Sequence, residues 1–325
     1  MQGEMGDAPS ADEATVDLWG PVRHALASPP AVDPDAEPAT ASEVRAELRR
    51  MQGEMASHSY ASMATALPAL LRDSAGVGDR GLRSHVLGMT GWLLTQNRQW
   101  GDAALVLDRA VDVADDETTA AAAVATRVWC EVRQGHLEAA RALAIEWADR
   151  IEPRFSRATT GQMAAWGRLW LYIATVGVRD NRGGEHEDAM GMARAAAARI
   201  GREVLTEAST TRQFGPITVE HAAAESAAIA GQPALALAIA ERTPPATFLP
   251  TAAGRLRHRL DKANAHTQLG RWDDAVGELR TLGQIAPEWI TQQQYARDIV
   301  SDVITRRRTL TDEMRDLADL VKLEH

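Results

Sequence analysis

Apolar residues return every three or four positions through nearly the whole chain beyond residue 41, and the apolar–polar alternation that marks a half-buried strand is missing. Alanine, the strongest helix former, fills most of these segments, and runs of β-branched and aromatic residues are absent. The pattern predicts an all-α fold. A short helix is expected over 14–27, followed by "SPPAVDPDAEPATA" (28–41), whose four prolines make it a linker. Helices resume at "SEVRAELRRMQGEMASHSYASMATALPALLRD", with Ser42 as the cap. Its apolar face runs through Val44, Leu48 and Met51 to Leu67, Leu70 and Leu71, and Pro68 either kinks a helix or starts one. Three parts are expected: 1–41 as short helix and proline-rich linker, 42–322 as the helical domain, and 323–325, which resembles the start of a vector-encoded histidine tag.

Within the domain a Gly and the Ala five residues later keep a common register. Gly135 goes with Ala140, Gly184 with Ala189, Gly231 with Ala236 and Gly270 with Ala275, while Ala103 takes the Ala place of a fifth unit whose Gly place is Arg98. Successive Gly places are 37, 49, 47 and 39 residues apart, within the range of helical-hairpin arrays. Gly lets the chain leave one helix in a left-handed conformation, and a small Ala lets the next helix approach closely. The residue four beyond each Ala (Leu107, Ala144, Ala193, Ala240 or Leu279) continues the same helical face. Gly91 supplies a small crossing residue inside a first helix.

This Gly, Ala, Leu and Pro pattern, best preserved in "QLGRWDDAVGELRTLGQIAP" (268–287), resembles the tetratricopeptide repeat. Four longer stretches, "YASMATALPALLRD" (60–73), "RQFGPITVEHAAAESAAIAGQPALALAIAER" (212–242), "RLDKANAHTQLGRWDDAVGELRTLGQIAPE" (259–288) and "RRRTLTDEMRDLADLVKL" (306–323), resemble the region that follows the helix-turn-helix in XRE-type transcriptional regulators from GC-rich bacteria. The likeness covers about residues 15–320, and Phe214-Gly215-Pro216 is its most specific element. It implies a right-handed superhelix of degenerate tetratricopeptide-like hairpins over 42–322, first helices lining a concave wall. The DNA-binding helices of that family are not in this sequence.

Acidic residues outnumber basic ones by 45 to 35, a formal charge of −10, which argues against nonspecific binding of nucleic acid or anionic membrane, although Arg306, Arg307 and Arg308 form a local basic patch. Cys130 is the only cysteine, so an intrachain disulfide and a multi-cysteine metal site are excluded, and a cytoplasmic location is expected. Apolar runs fall short of the roughly 20 residues of a membrane span.

Nucleotide-binding glycine loops, the Gly-x-Ser-x-Gly elbow and the His-Glu-x-x-His pair are all missing. "GGEHEDAM" (183–190) gathers Glu185, His186, Glu187 and Asp188, either as a divalent-metal cluster or as a solvated helix start whose acidic residues suit the helix dipole. His258 and His266 lie two turns apart, too far to share a metal unaided, and Cys130 beside Trp129 reads as a buried thiol.

On the tetratricopeptide reading, ligand contacts come from first helices. Counting back six from each Gly place reaches Trp92, Trp129, Val178, Glu225 and Asn264; counting back ten reaches Gly88, Ala125, Ala174, His221 and Leu260. His85 and Arg257 extend that face, and Trp166, Trp170 and Tyr172 add aromatic mass beside it. The tryptophans either line the groove or fill core space left by small alanines. The expected ligand site is therefore His85, Trp92, Trp129, His221, Glu225, Arg257 and Asn264, with no catalytic or metal-ligating residue and no cofactor. A mixed apolar and polar groove suits a small molecule or short peptide.

The leading reading is a ligand-sensing domain of a transcriptional regulator that also allows a homodimer, with DNA contacted only through a helix-turn-helix outside this sequence. The alternatives are a scaffold that binds a protein or peptide partner, and an enzyme built on a repeat scaffold around His221, Glu225 or Arg257.

Overall fold

The computed structural model describes residues 17–27, 37–206, 209, 211–243, 252–307 and 311–323. Its helices are α1 Gly20–Ala27, α2 Ala41–Ser57, α3 Tyr60–Gly76, α4 Arg80–Gln96, α5 Trp100–Val113, α6 Glu117–Gln134, α7 Leu137–Arg150 and α8 Thr160–Arg179. They continue as α9 Gly183–Ile200, α10 Pro216–Ile229, α11 Pro233–Arg242, α12 Ala252–Gln268, α13 Trp272–Ile285, α14 Pro287–Ile290, α15 Gln294–Arg306 and α16 Asp312–Leu320. Among the described residues there is no strand, and the one β-type pairing is an isolated antiparallel bridge between Val204 and Phe214. The all-α expectation holds, and no described helix is long and apolar enough to cross a membrane.

The first helix packs on α3, with Trp19 and Val22 buried in the core. Most of the expected linker, 28–36, lies outside the described residues, as do Ala14 to Val16 of the expected first helix. The N-cap of α2 is Thr40 and not Ser42: the Thr40 side chain accepts from the Glu43 amide while the Glu43 carboxylate accepts from the Thr40 amide. A carboxylate three residues on completes this reciprocal pair for Thr40, whereas Ser42 is followed at that spacing by Arg45. Pro68 lies inside α3. At the other end Leu323 still packs against the core, and Glu324 and His325 lie outside the described residues.

From α4 to α13 the chain folds as successive helical hairpins, α4/α5, α6/α7, α8/α9, α10/α11 and α12/α13. The first helices also touch one another in order, α4 with α6, α6 with α8, α8 with α10 and α10 with α12. Each first helix ends near a residue of positive φ: Arg98 (61°), Gly135 (83°), Asn181 (55°), Gly231 (71°) and Gly270 (71°). Four of these are the expected turn positions, and Ala103, Ala140, Ala236 and Ala275 five residues later are all buried. The α8/α9 turn differs. Gly184 sits in the first turn of α9, and Asn181 takes the left-handed position three residues earlier, asparagine being among the side chains that tolerate it. The residue five beyond is then His186, and the small residue is on the other helix: a Cβ on Gly177 would come within 3.1 Å of the His186 amide nitrogen.

The array's two ends meet. α2 touches both α4 and α12. The Tyr60 amide donates to Glu288 Oε2 at 3.0 Å, His58 lies 6.2 Å from the Trp289 ring, and one hydrophobic core takes in side chains of both α1–α5 and α12–α16. A second core belongs to α6–α11.

Phe214-Gly215-Pro216 starts α10, with Pro216 in its first turn where no amide is needed. The Glu203 carboxylate caps that helix, accepting from the amides of Ile217 (2.7 Å) and Thr218 (3.0 Å) and from the Thr218 hydroxyl (2.7 Å). The Phe214 ring lies directly on Gly167 of α8, where a Cβ would fall 2.2 Å from Cζ of Phe214 and 2.8 Å from Cβ of Ala196. Alanine at 167 would add about 1 kcal/mol of helix propensity, while overpacking a filled contact costs about 1–3 kcal/mol. Gly167→Ala is therefore expected to lower stability by about 1 kcal/mol net. A denaturant midpoint equal to or above that of the parent would contradict this packing.

Candidate functional site

One cavity of about 150 Å³ is walled by side chains of α4, α6, α8, α10, α12 and α14 together with the loop before α10. Its wall follows from helical geometry. Trp92, Trp129, Thr175 and Glu225 stand six residues before the left-handed residues Arg98, Gly135, Asn181 and Gly231, and Arg168, Thr218 and Arg257 stand thirteen before Asn181, Gly231 and Gly270. Six and thirteen differ by seven, two helical turns, so these side chains share the inner face of their helices.

Of the seven expected site residues the cavity brings together five: Trp92, Trp129, His221, Glu225 and Arg257. His85 lies on the same inner face but lines a separate cleft of about 20 Å³ with Ser84, Thr126 and Thr211. Asn264 is half-buried and does not line this cavity, which meets α12 at Gly254, Arg257, His258 and Asp261, nearer the start of that helix. The cavity crosses the helices obliquely, using the last turns of α4 and α6 but the first half of α12, so one fixed distance from the turn falls short there.

Five further lining residues carry much of the chemistry: Arg133, Arg168, Arg212, Asp261 and Trp289. Arg168 stands on the six-and-thirteen face only once the turn is placed at Asn181, and the Gly184 register turned Val178 inward in place of Thr175. Arg212 and Gln213 belong to an irregular segment with no periodicity to expose them.

At the α10–α12 side the carboxylate of Glu225 accepts from Arg179 at 2.6 Å and from Arg257 at 3.0 Å. Burial alone would raise its pKa, but the two guanidinium charges outweigh that and hold it below the usual range. Arg257 also approaches Asp261 at 3.6 Å and lies over the Tyr295 ring at 4.3 Å. Asp261 is 3 % exposed; burial first, and the nearby Glu225 charge second, push its carboxyl up to about 8, so it stays protonated at neutral pH. His221 and His258 stack with centroids 4.1 Å apart, and burial holds both below the usual histidine value, His258 at about 3. The pair is neutral at pH 7.

On the opposite side Trp129 stacks on Tyr172 at 6.0 Å, and the Arg212 guanidinium covers both rings at 5.3 and 5.7 Å. Arg168 lies over Phe214 at 5.6 Å; burial, chiefly, lowers it to about 10. Arg133 is lowered to about 10 by burial and then by the Arg257 charge, and it donates to the carbonyls of Thr95 (2.8 Å) and Gln96 (3.5 Å) at the end of α4.

The other sequence candidates are engaged elsewhere. Glu185 pairs with Arg141 at 2.7 Å, and His186 Nδ1 lies 2.9 Å from the Ala174 carbonyl. Among the described residues no three histidine, cysteine, aspartate or glutamate side chains are placed to share a metal ion. Trp166 is a core residue in edge contact with Phe155 and Trp170, and Cys130 is buried, its thiol pushed up by desolvation. Arg306 and Arg307 pair with Asp302 and Asp273, and Arg308 lies outside the described residues.

Asp261 has a stability signature of known sign. Its pKa is raised on folding, so the stability it contributes is complete below its unfolded value near 4 and is lost as pH rises through about 8. Denaturant unfolding measured between pH 6.5 and 8 should show stability falling by up to about 1.4 kcal/mol per pH unit from this group. Asp261→Asn should remove that component; an unchanged slope would mean the carboxyl is already ionised in the folded protein. Comparison of this chain with protein-family models, with curated proteins and with solved structures gives no match.

Proposed function

We propose that this chain is the ligand-sensing, helical-repeat part of a bacterial transcriptional regulator, with hairpins α4/α5 to α12/α13 forming a tetratricopeptide-like superhelix around its ligand. The supporting observation is the single cavity shared by the first helices of five hairpins and by α14, with helices from the two ends of the array packed together beside it. An occupant touching helices from both ends would change how tightly they close. In a regulator carrying a helix-turn-helix, that differential affinity would bias the separation of two DNA-binding heads, most directly in a homodimer. The role is binding and not catalysis.

The cavity's size favours a small molecule over a peptide. A space of about 150 Å³ is of the order that holds one benzene-sized ring. Its wall combines indole surfaces with fixed polar groups, the usual make-up of a small-molecule site.

A thermal-shift screen of a metabolite collection tests this reading. A true ligand at about 100 times its Kd stabilises the folded state by about 2.7 kcal/mol, a shift of several degrees. Trp129→Ala should abolish the shift for any hit; a hit whose shift survives both Trp129→Ala and His221→Ala binds elsewhere, and a screen without hits counts against the sensor role. The regulator assignment is checked at the gene: coding sequence that continues upstream of Met1 into a helix-turn-helix supports it, and a native start with no such sequence overturns it.

A further inference from the structure

The cavity wall bears four arginines, Arg133, Arg168, Arg212 and Arg257, against two carboxyls, Glu225 and Asp261. Glu225 is already shared between Arg257 and Arg179, and Asp261 faces Arg257 at 3.6 Å, so both carboxyls are engaged at the α10–α12 side. In a chain with ten more acidic than basic residues, the interior surface is thus strongly positive.

Two of these arginines have no carboxylate partner among the described residues. Arg168 and Arg212 form no ion pair with a carboxylate of the described residues, and neither side chain donates a hydrogen bond to one of them; each lies over aromatic rings, and Arg212 Nε is fully buried without a partner. They are close enough for each to feel the other's charge. A guanidinium carries five N–H donors in a planar fork that matches carboxylate or phosphate oxygens. For Arg212 Nε this is costly, since a buried donor without an acceptor loses its hydration with no compensation, and Arg168 stands half-buried beside it with its fork open to the cavity. The Tyr172 hydroxyl and the Trp289 indole nitrogen on the same wall are also buried without partners.

We propose that this cavity is an anion site. Arg168 and Arg212 take the carboxylate or phosphate of a small ligand whose ring lies against Trp92 and Trp289. The inference rests on the ligand-binding reading above and specifies its chemistry. It also separates these two arginines from Arg133, which is committed to the end of α4, and from Arg257, which is committed to Glu225.

Calorimetric titration of the full chain at pH 7 with benzoate, phenyl phosphate and the neutral isostere benzamide tests the proposal, and the ratio of the two anions identifies the preferred head group. At least one anion should bind about tenfold or more tighter than benzamide, the least that a charge-assisted hydrogen bond contributes. Arg168→Met and Arg212→Gln should each bring that anion down to the level of benzamide, whereas Arg168→Lys should keep part of the preference. Thermal melting without ligand guards against misfolding: Arg168→Met should melt no lower than the parent, because it removes a half-buried charge that has no carboxylate partner among the described residues. A marked fall would make Arg168 a structural residue and overturn its assignment. Benzamide binding as tightly as both anions would overturn the anion site while leaving a small-molecule cavity in place. If no probe binds at about 10 mM, where even a millimolar site is mostly filled, the anion proposal fails and the sensor reading still stands or falls on the thermal-shift screen.

Discussion

Close backbone approach between neighbouring helices, permitted by small residues at a handful of positions, is the constraint on which this structure depends. Ala103, Ala140, Ala236 and Ala275 sit beneath the left-handed turns of four hairpins, and Gly91, Gly167 and Gly177 let a facing residue rest on a first helix. The turn before each Ala sets the rotation of the helix that precedes it. Once that rotation is set, the side chains six and thirteen residues upstream have no choice of face. The α8/α9 hairpin obeys the same constraint with the partners exchanged: the bulky His186 is on the second helix, so the glycine moves to the first.

The α14 side of the cavity follows from the packing of α1–α5 against α12–α16. The core shared by α1–α5 and α12–α16, with Glu288 on the Tyr60 amide and His58 against Trp289, draws α14 across the inner faces of the first helices. Trp289 thereby becomes part of the same wall as Trp92 and Trp129. Polar groups on that wall are removed from bulk water, and this is why several of its titratable groups depart from their ordinary values in the direction that disfavours charge: Arg133 and Arg168 lowered, His221 and His258 lowered, and Asp261 raised. Glu225 and Arg257 escape the trend because their mutual attraction exceeds the cost of burial.

The hairpin registers and most of the inner face were legible in the sequence because they are short-range. Trp92, Trp129, His221, Glu225 and Arg257 could all be found by counting from a turn, and all five reach one cavity. The count failed where its assumption failed. Gly184 resembles a turn glycine, but Asn181 accepts positive φ in its place, and the three-residue error hid Arg168 and Thr175. Asn264 was reached by a correct count on α12, yet the cavity has already left that part of the helix.

Local sequence alone determined the helical class, the small residues at helix crossings and four of the five hairpin turns, because each depends on residues within one or two helical turns of one another. Only the tertiary structure decided that α1–α5 and α12–α16 share a core, that Arg212 and Trp289 join the first helices, and that Arg168 reaches the cavity with no carboxylate of the described residues paired to it. Those outcomes depend on contacts between different helices far apart in the chain, and on the balance of burial against charge, which no periodicity along the chain records.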